Sequence, residues 1–131
     1  MGFLIDTNIC SAHFKNARGV SSRFLQYAGS LSISAVTLGE LASWALRSKT
    51  RKHLAVLDDF LNYVEVLDVD REVGWKFGEV NKHLLDHGLP PPGMDLLIGA
   101  TALVHNLTLV THNRRDFANI PDLTIVDWLE P

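Results

Sequence analysis

The sequence predicts an α/β fold: a central parallel β-sheet of about five strands, flanked by helices, in a single domain over residues 1–131. Three observations lead there. Short apolar runs of strand length alternate with stretches whose apolar residues recur at helical spacing. Glycine, asparagine and proline punctuate the junctions. A chain of 131 residues suits one domain that buries about two-thirds of its unfolded surface.

Taken in order, residues 2–6 read as a buried strand that ends on Asp6. Thr7 or Asn8 is suited to cap a helix running to Phe14 and Lys15. Asn16 and Gly19 mark a turn, and a second helix spans residues 20–28, closed by Gly29. Residues 31–34 read as the second strand, with Ser34 as N-cap of the next helix. On that helix Val36, Glu40 and Trp44 share one face, and Leu38, Leu41, Ala42 and Ala45 another. Residues 50–63 continue helically, and residues 64–69 form the third strand. Asp70 caps a long helix in which Val73, Phe77, Val80 and Leu84 repeat at helical spacing, and Gly88 stops it. Helix cannot continue through Pro90-Pro91-Pro92-Gly93. Asp95 stands at the start of an apolar helix to His105. Residues 107–111 form the fourth strand, 112–117 a polar loop, and 123–126 the fifth strand.

Composition excludes several classes. Net charge is −3, so global electrostatics do not make a generic nucleic-acid binder, and any such contact rests on local bases or metal ions. Cys10 is the only cysteine, which removes an internal disulfide and argues against a cysteine-based zinc site. There is no apolar run of about 20 residues and no signal-peptide pattern, and Asp6 breaks a myristoylation motif at Gly2. A cytoplasmic location is expected.

Four acids stand out. In open parallel sheets ligands bind beyond the carboxyl ends of the strands. Asp6 ends the first strand and Asp116 follows the fourth; if those strands are neighbours, their loops share one crevice. Glu40 lies in the helix after the second strand, beside Val36 and Trp44, where an unpaired carboxylate is costly. Asp95 opens a helix. Crowded carboxylates repel, and Mg²⁺ or Mn²⁺ resolves the repulsion while activating a water for in-line attack on a phosphodiester. Each acid alone also has an ordinary reading: Asp6 an Asx turn, Glu40 a solvated helix residue, Asp95 an N-cap, Asp116 a partner of Arg114 and Arg115.

In sequence, the stretches Leu4-Ile5-Asp6-Thr7-Asn8, Ile33-Ser34 leading to Glu40-Leu41, Asp95-Leu96-Leu97-Ile98-Gly99-Ala100, and Leu109 to Phe117 resemble the successive motifs of PIN-domain nucleases. They are especially similar to the VapC toxins of toxin–antitoxin pairs. The likeness extends through Val126-Asp127-Trp128. It implies a magnesium-dependent endoribonuclease in which Asp6, Glu40, Asp95 and Asp116 are catalytic and Asp6, Asp95 and Asp116 hold the metal. Thr7 and Asn113 are implied to support the site by hydrogen bonds. The resemblance also implies a homodimer silenced by a small VapB-like antitoxin. One departure is Pro92-Gly93-Met94 before Asp95, where many relatives carry a further acid or amide. It removes a ligand for a second metal.

Further groups bear on partners. Arg47, Lys49, Arg51 and Lys52 form either a solvated turn or an arm that steers phosphates. Arg114, Arg115 and His112 are candidates for contact with RNA or antitoxin. His83 and His87 have the spacing of a helical zinc pair but lack the glutamate of a metalloprotease motif. Trp44, Trp75, Phe77 and Trp128 read as core or dimer contacts. The competing functions are a non-catalytic acidic-cleft binding module and an RNA-processing nuclease of the same fold. A receiver-like phosphoacceptor would need an acid pair near Asp6 and a lysine after the last strand, and both are missing.

Overall fold

Short strands pair where both faces of a sheet are covered, because their side chains alternate between two cores. In the computed structural model, which describes residues 2–130, five such strands form one parallel sheet in the order β3-β2-β1-β4-β5. They are Phe3–Ile5 (β1), Leu31–Ser34 (β2), Glu65–Leu67 (β3), Thr108–Val110 (β4) and Ile125–Val126 (β5). The helices are Thr7–Phe14 (α1), Ser21–Gln26 (α2), Ala35–Arg47 (α3), Lys52–Leu61 (α4), Arg71–Asp86 (α5), Met94–Val104 (α6) and Arg114–Phe117 (α7). The predicted α/β sandwich is therefore the observed fold. Apart from β2, which keeps its expected bounds, each strand is shorter than the run that marks it, since pairing stops where the chain turns into the next element.

Alternation along β1 assigns the layers. Phe3 and Ile5 face a core with Ile9, Phe24, Ile33, Leu41, Leu57, Phe60 and Trp128, built under α1 to α4. Leu4 faces the opposite core with Val80, Leu84, Leu96, Ile98, Leu109 and Phe117, under α5 to α7. Trp128 closes the first core by stacking on Tyr27, with ring centroids 5.6 Å apart and planes 12° apart. Of the two readings of Trp75, core or dimer contact, the core is ruled out: it is 69% exposed on α5.

The caps follow local chemistry. Ser34 and Asp70 accept from the N–H of Val36 and Val73, as expected. At α1 the cap is Asp6 rather than Thr7 or Asn8: its side chain accepts from the Thr7 N–H. At α6 no side chain caps; Gly93 takes the position at φ 67° and ψ −128°, a conformation open to glycine alone. Residues 114–117, expected as loop, coil into α7. Among the described residues no helix is long and apolar enough to cross a membrane.

β1 is the first strand laid down and ends in the middle of the sheet. The chain adds β2 and β3 on one side of it and β4 and β5 on the other. The boundary between β1 and β4 is thus the topological switch point, with Ile5 level with Val110.

Candidate active site

Asp6 leaves the carboxyl end of β1 at that switch point. Its backbone N–H donates to the Val110 carbonyl at 2.9 Å, extending the β1–β4 ladder by one rung. One carboxylate oxygen accepts the Thr7 N–H at 2.8 Å and the other the Thr111 hydroxyl at 2.8 Å. The residue is 5% exposed. Burial raises its pKa above the ordinary aspartate value; the hydrogen bonds from Thr111 and Thr7 oppose the rise, and the charges of Glu40 and Asp116 add to it.

Glu40 lies in the second turn of α3. The sequence places it among apolar neighbours, but the side chain is exposed, because α3 turns this face out over the strand ends. The Thr7 hydroxyl donates to Glu40 Oε1 at 2.6 Å and shares a longer 3.3 Å bond with the buried Thr37 hydroxyl. Thr7 therefore ties α1 to α3 beside Asp6.

Asp95 is the second residue of α6, so it lies inside the first turn rather than at the cap. Burial pushes its pKa up to about 6, with further contributions from Asp6, Asp116 and Glu40 in that order. Asp116 sits exposed in α7, its backbone N–H bonded to the Asn113 carbonyl at 3.0 Å. Among the described residues no ion pair joins Asp116 to Arg114 or Arg115, or gives any of the four acids a basic partner.

Asp6 and Asp95 therefore both feel the charges of Glu40 and Asp116, and Asp95 that of Asp6 as well. The charges that perturb Asp6 and Asp95 belong to carboxylates alone. An all-oxygen donor set with unbalanced negative charge is the chemistry that hard divalent cations satisfy. Asp6, Asp95 and Asp116 are placed to contribute ligands, with Glu40 beside them. Among the described residues, however, no three of these side chains stand close enough to hold an ion without rearrangement. Asp116 is exposed and Asp95 half-buried, whereas Asp6 is buried and held by two hydrogen bonds.

The expected supporting residues divide. Thr7 acts through its side chain. Asn113 acts through its backbone: its N–H donates to Thr111 Oγ1 at 3.0 Å, and its carbonyl starts α7. Thr111 was missed by the sequence reading although it is fully buried and holds Asp6 directly. The signal available was its place as the polar last residue of an apolar run, the same pattern that marks Asp6. A second missed residue is Asp127, whose buried carboxylate accepts from His112 Nδ1 at 2.7 Å and from the Leu129 N–H at 2.8 Å. His112 is thereby fixed at the end of β4.

The basic residues fall in different places. Arg47 joins Glu40, Ser43, Trp44, Ser48 and His53 around an open hollow of about 470 Å³. Lys52 lines a neighbouring cavity, whereas Lys49 and Arg51 are exposed on the turn between α3 and α4. Arg115 and Asp116 line a hollow of about 310 Å³ beneath Pro90, Pro91 and Pro92. His87 Nδ1 donates to the His83 carbonyl at 2.7 Å, which uses one histidine of the helical pair to end α5. A hollow of about 530 Å³ lies at the amino ends of the strands and contains none of the four acids. Strand polarity puts the four acids at the opposite end.

Comparison with known proteins identifies the family and agrees with the fold. The PIN domain profile matches residues 3–123. The chain is 35% identical over 128 residues to the tRNA(fMet)-specific endonuclease VapC of Shigella flexneri, covering 96% of this chain and 97% of the relative. The DNA-bound VapBC structure from Salmonella typhimurium matches with a TM-score of 0.90 and 34% identity over 98% of each chain. VapBC2 from Rickettsia felis, solved with a DNA fragment from its promoter, matches with a TM-score of 0.87 and 30% identity over 98% of this chain and 99% of that one.

Proposed function

The chain belongs to the PIN-domain family, in its VapC group, and from this we propose that it is a metal-dependent endoribonuclease and the toxin of a toxin–antitoxin pair. The observation that carries the reading is the convergence of Asp6, Glu40, Asp95 and Asp116 on the β1–β4 switch point with no basic partner among the described residues. Asp6, Asp95 and Asp116 would hold Mg²⁺, with Mn²⁺ as an alternative, and the bound ion would supply an acidified water and neutralise phosphodiester charge. Asp6 is held ionisable by the Thr111 and Thr7 hydrogen bonds in spite of its burial. Glu40 is oriented through one oxygen by Thr7, which leaves its other oxygen free to accept a proton from the attacking water. Arg115, beside Asp116, is suited to hold a flanking phosphate.

The substrate class follows from the relatives: a structured RNA, with transfer RNA as the first candidate, since the Shigella relative bears that specificity in its name. A VapB-like antitoxin is the expected protein partner, because the related solved structures are VapBC complexes. We place the toxin in the cytoplasm, as a homodimer. Induced expression with and without a candidate VapB-like antitoxin, followed by mapping of new RNA 5′ ends, tests the reading. New ends at a defined RNA that vanish with antitoxin are expected. Unchanged growth and unchanged ends would instead favour a non-catalytic acidic cleft.

A further inference from the structure

Beside the acids, the molecule carries an aromatic cavity that the proposed chemistry does not use. It has a volume of about 350 Å³ and lies between α1 and α4, lined by Phe14, Lys15, Trp44, Lys52, His53 and Val56 among others. Three of these side chains are near-parallel rings in contact. Phe14 and Trp44 lie with centroids 5.4 Å apart and planes 16° apart; Trp44 and His53 lie 4.3 Å apart, also at 16°. Such a ladder is costly to leave half-exposed, and it presents flat π-faces to whatever enters.

Two further features point to an occupant. His53 Nδ1 is buried and is the one such side-chain atom among the described residues without a hydrogen-bond partner. A buried polar atom without a partner is destabilising. A base edge, reached by rotation of the imidazole, supplies the missing bond. Lys15 and Lys52 stand exposed at the rim and make no ion pair among the described residues. An aromatic floor with a cationic rim is the combination that single-stranded nucleic acid selects, the rings stacking bases and the lysines meeting phosphates.

Position links the cavity to the acids. Trp44 and His53 also line the open hollow that contains Glu40 and Arg47, so the two spaces adjoin. Phe14 ends α1, the helix that Asp6 begins; a helix of eight residues puts it about 12 Å from Asp6. That is the reach of a nucleotide neighbouring the scissile phosphate.

We propose that the Phe14–Trp44–His53 cavity is a nucleobase subsite, which stacks an unpaired base of the RNA substrate next to the cut and so contributes to the choice of bond. The proposal rests on the ribonuclease reading. It departs from the expectation that Trp44 serves only the core or a dimer contact.

The test uses a fluorescein-labelled RNA hairpin containing the bond that the wild-type protein cuts, and the same hairpin with each loop base in turn replaced by an abasic ribose. Binding is measured on full-length Asp6→Asn protein, which leaves the RNA intact, and cleavage on protein without that change. Trp44→Leu and His53→Ala are expected to weaken binding of the hairpin about tenfold or more. They should raise KM with little change in kcat. Trp44→Phe, which keeps a flat ring, should restore most of the loss. One abasic position should weaken binding to the Trp44 protein and cost nothing further in Trp44→Leu. Equal affinity and KM across all three variants would overturn the subsite while leaving the nuclease intact. Loss of antitoxin binding with RNA affinity unchanged would overturn it in favour of a protein-docking groove. Absence of any cut by the wild-type protein would defeat both the ribonuclease reading and this one.

Discussion

The Thr111 hydroxyl donates a 2.8 Å hydrogen bond to Asp6 Oδ2, joining the ends of two adjacent strands that are 105 residues apart in the chain. That bond makes the carboxyl edge of the sheet a defined chemical object. It holds a buried carboxylate in place and opposes the rise in its pKa that burial causes. Thr111→Val keeps the shape and removes the donor, and it also leaves the Asn113 N–H without its acceptor. The expected outcome is a loss of about 1–2 kcal/mol in stability. In activity assays the magnesium requirement should rise and the acid limb of the pH profile should move to higher pH.

Stability of the metal-free protein should fall as pH rises. The pKa of Asp95 is raised to about 6 by the fold, so the folded chain binds a proton there that the unfolded chain releases near pH 4. Its contribution is complete below the unfolded value and is lost as pH climbs through about 6. Asp6, also raised, acts in the same direction. Thermal melts in EDTA should show a higher Tm at pH 5 than at pH 7.5. Asp95→Asn should flatten the dependence, and added Mg²⁺ should raise the Tm at pH 7.5 more than at pH 5, because protons and cation compete for the same oxygens.

Gly93 carries a prediction about positioning. It holds φ 67° and ψ −128° at the start of α6, after three prolines and two residues before Asp95. Gly93→Ala forces a side chain into that conformation at a cost of about 1–3 kcal/mol. The chain can relieve the strain only by moving the first turn of α6. A drop in activity larger than the drop in Tm explains, with the Mg²⁺ requirement raised, is the expected result.

Thr7→Val should separate orientation from charge. It removes the 2.6 Å bond to Glu40 and leaves all four acids in place. A decrease in kcat of about 10-fold or more, with metal affinity nearly unchanged, is expected if Glu40 handles the proton of the attacking water. An equal loss from Glu40→Gln and from the double variant would show that the two residues act as a unit.

How much of this was legible in the sequence depends on whether the signal is local. Asp6 was visible because a carboxylate ends an apolar run, and the layered fold was visible because strand and helix patterns alternate. The neighbourhood of β1 and β4 was not, since pairing across 105 residues leaves no local trace; the register that sets Ile5 beside Val110 had to come from coordinates. Thr111 carried the same local mark as Asp6, a polar end on an apolar run, but its role shows only opposite Asp6. Residues 114–117 were read as loop because four residues are too few to show a helical period. Glu40 was placed among apolar side chains because Val36 and Trp44 share its face, yet that face opens onto the strand ends and leaves it exposed. Residue type left Trp75 open between core and dimer contact, and only coordinates show that it lies on the outer side of α5, away from the core.

The most direct test of the account is cleavage of total transfer RNA by purified protein in Mg²⁺, compared with the same protein in EDTA and with Asp6→Asn. The account predicts discrete cuts by the wild-type protein, none in EDTA, and at least about a 100-fold loss in Asp6→Asn, which should fold with a metal-free Tm at pH 7.5 equal to or above that of the wild type. Cuts that persist at full rate in both EDTA and Asp6→Asn would contradict it.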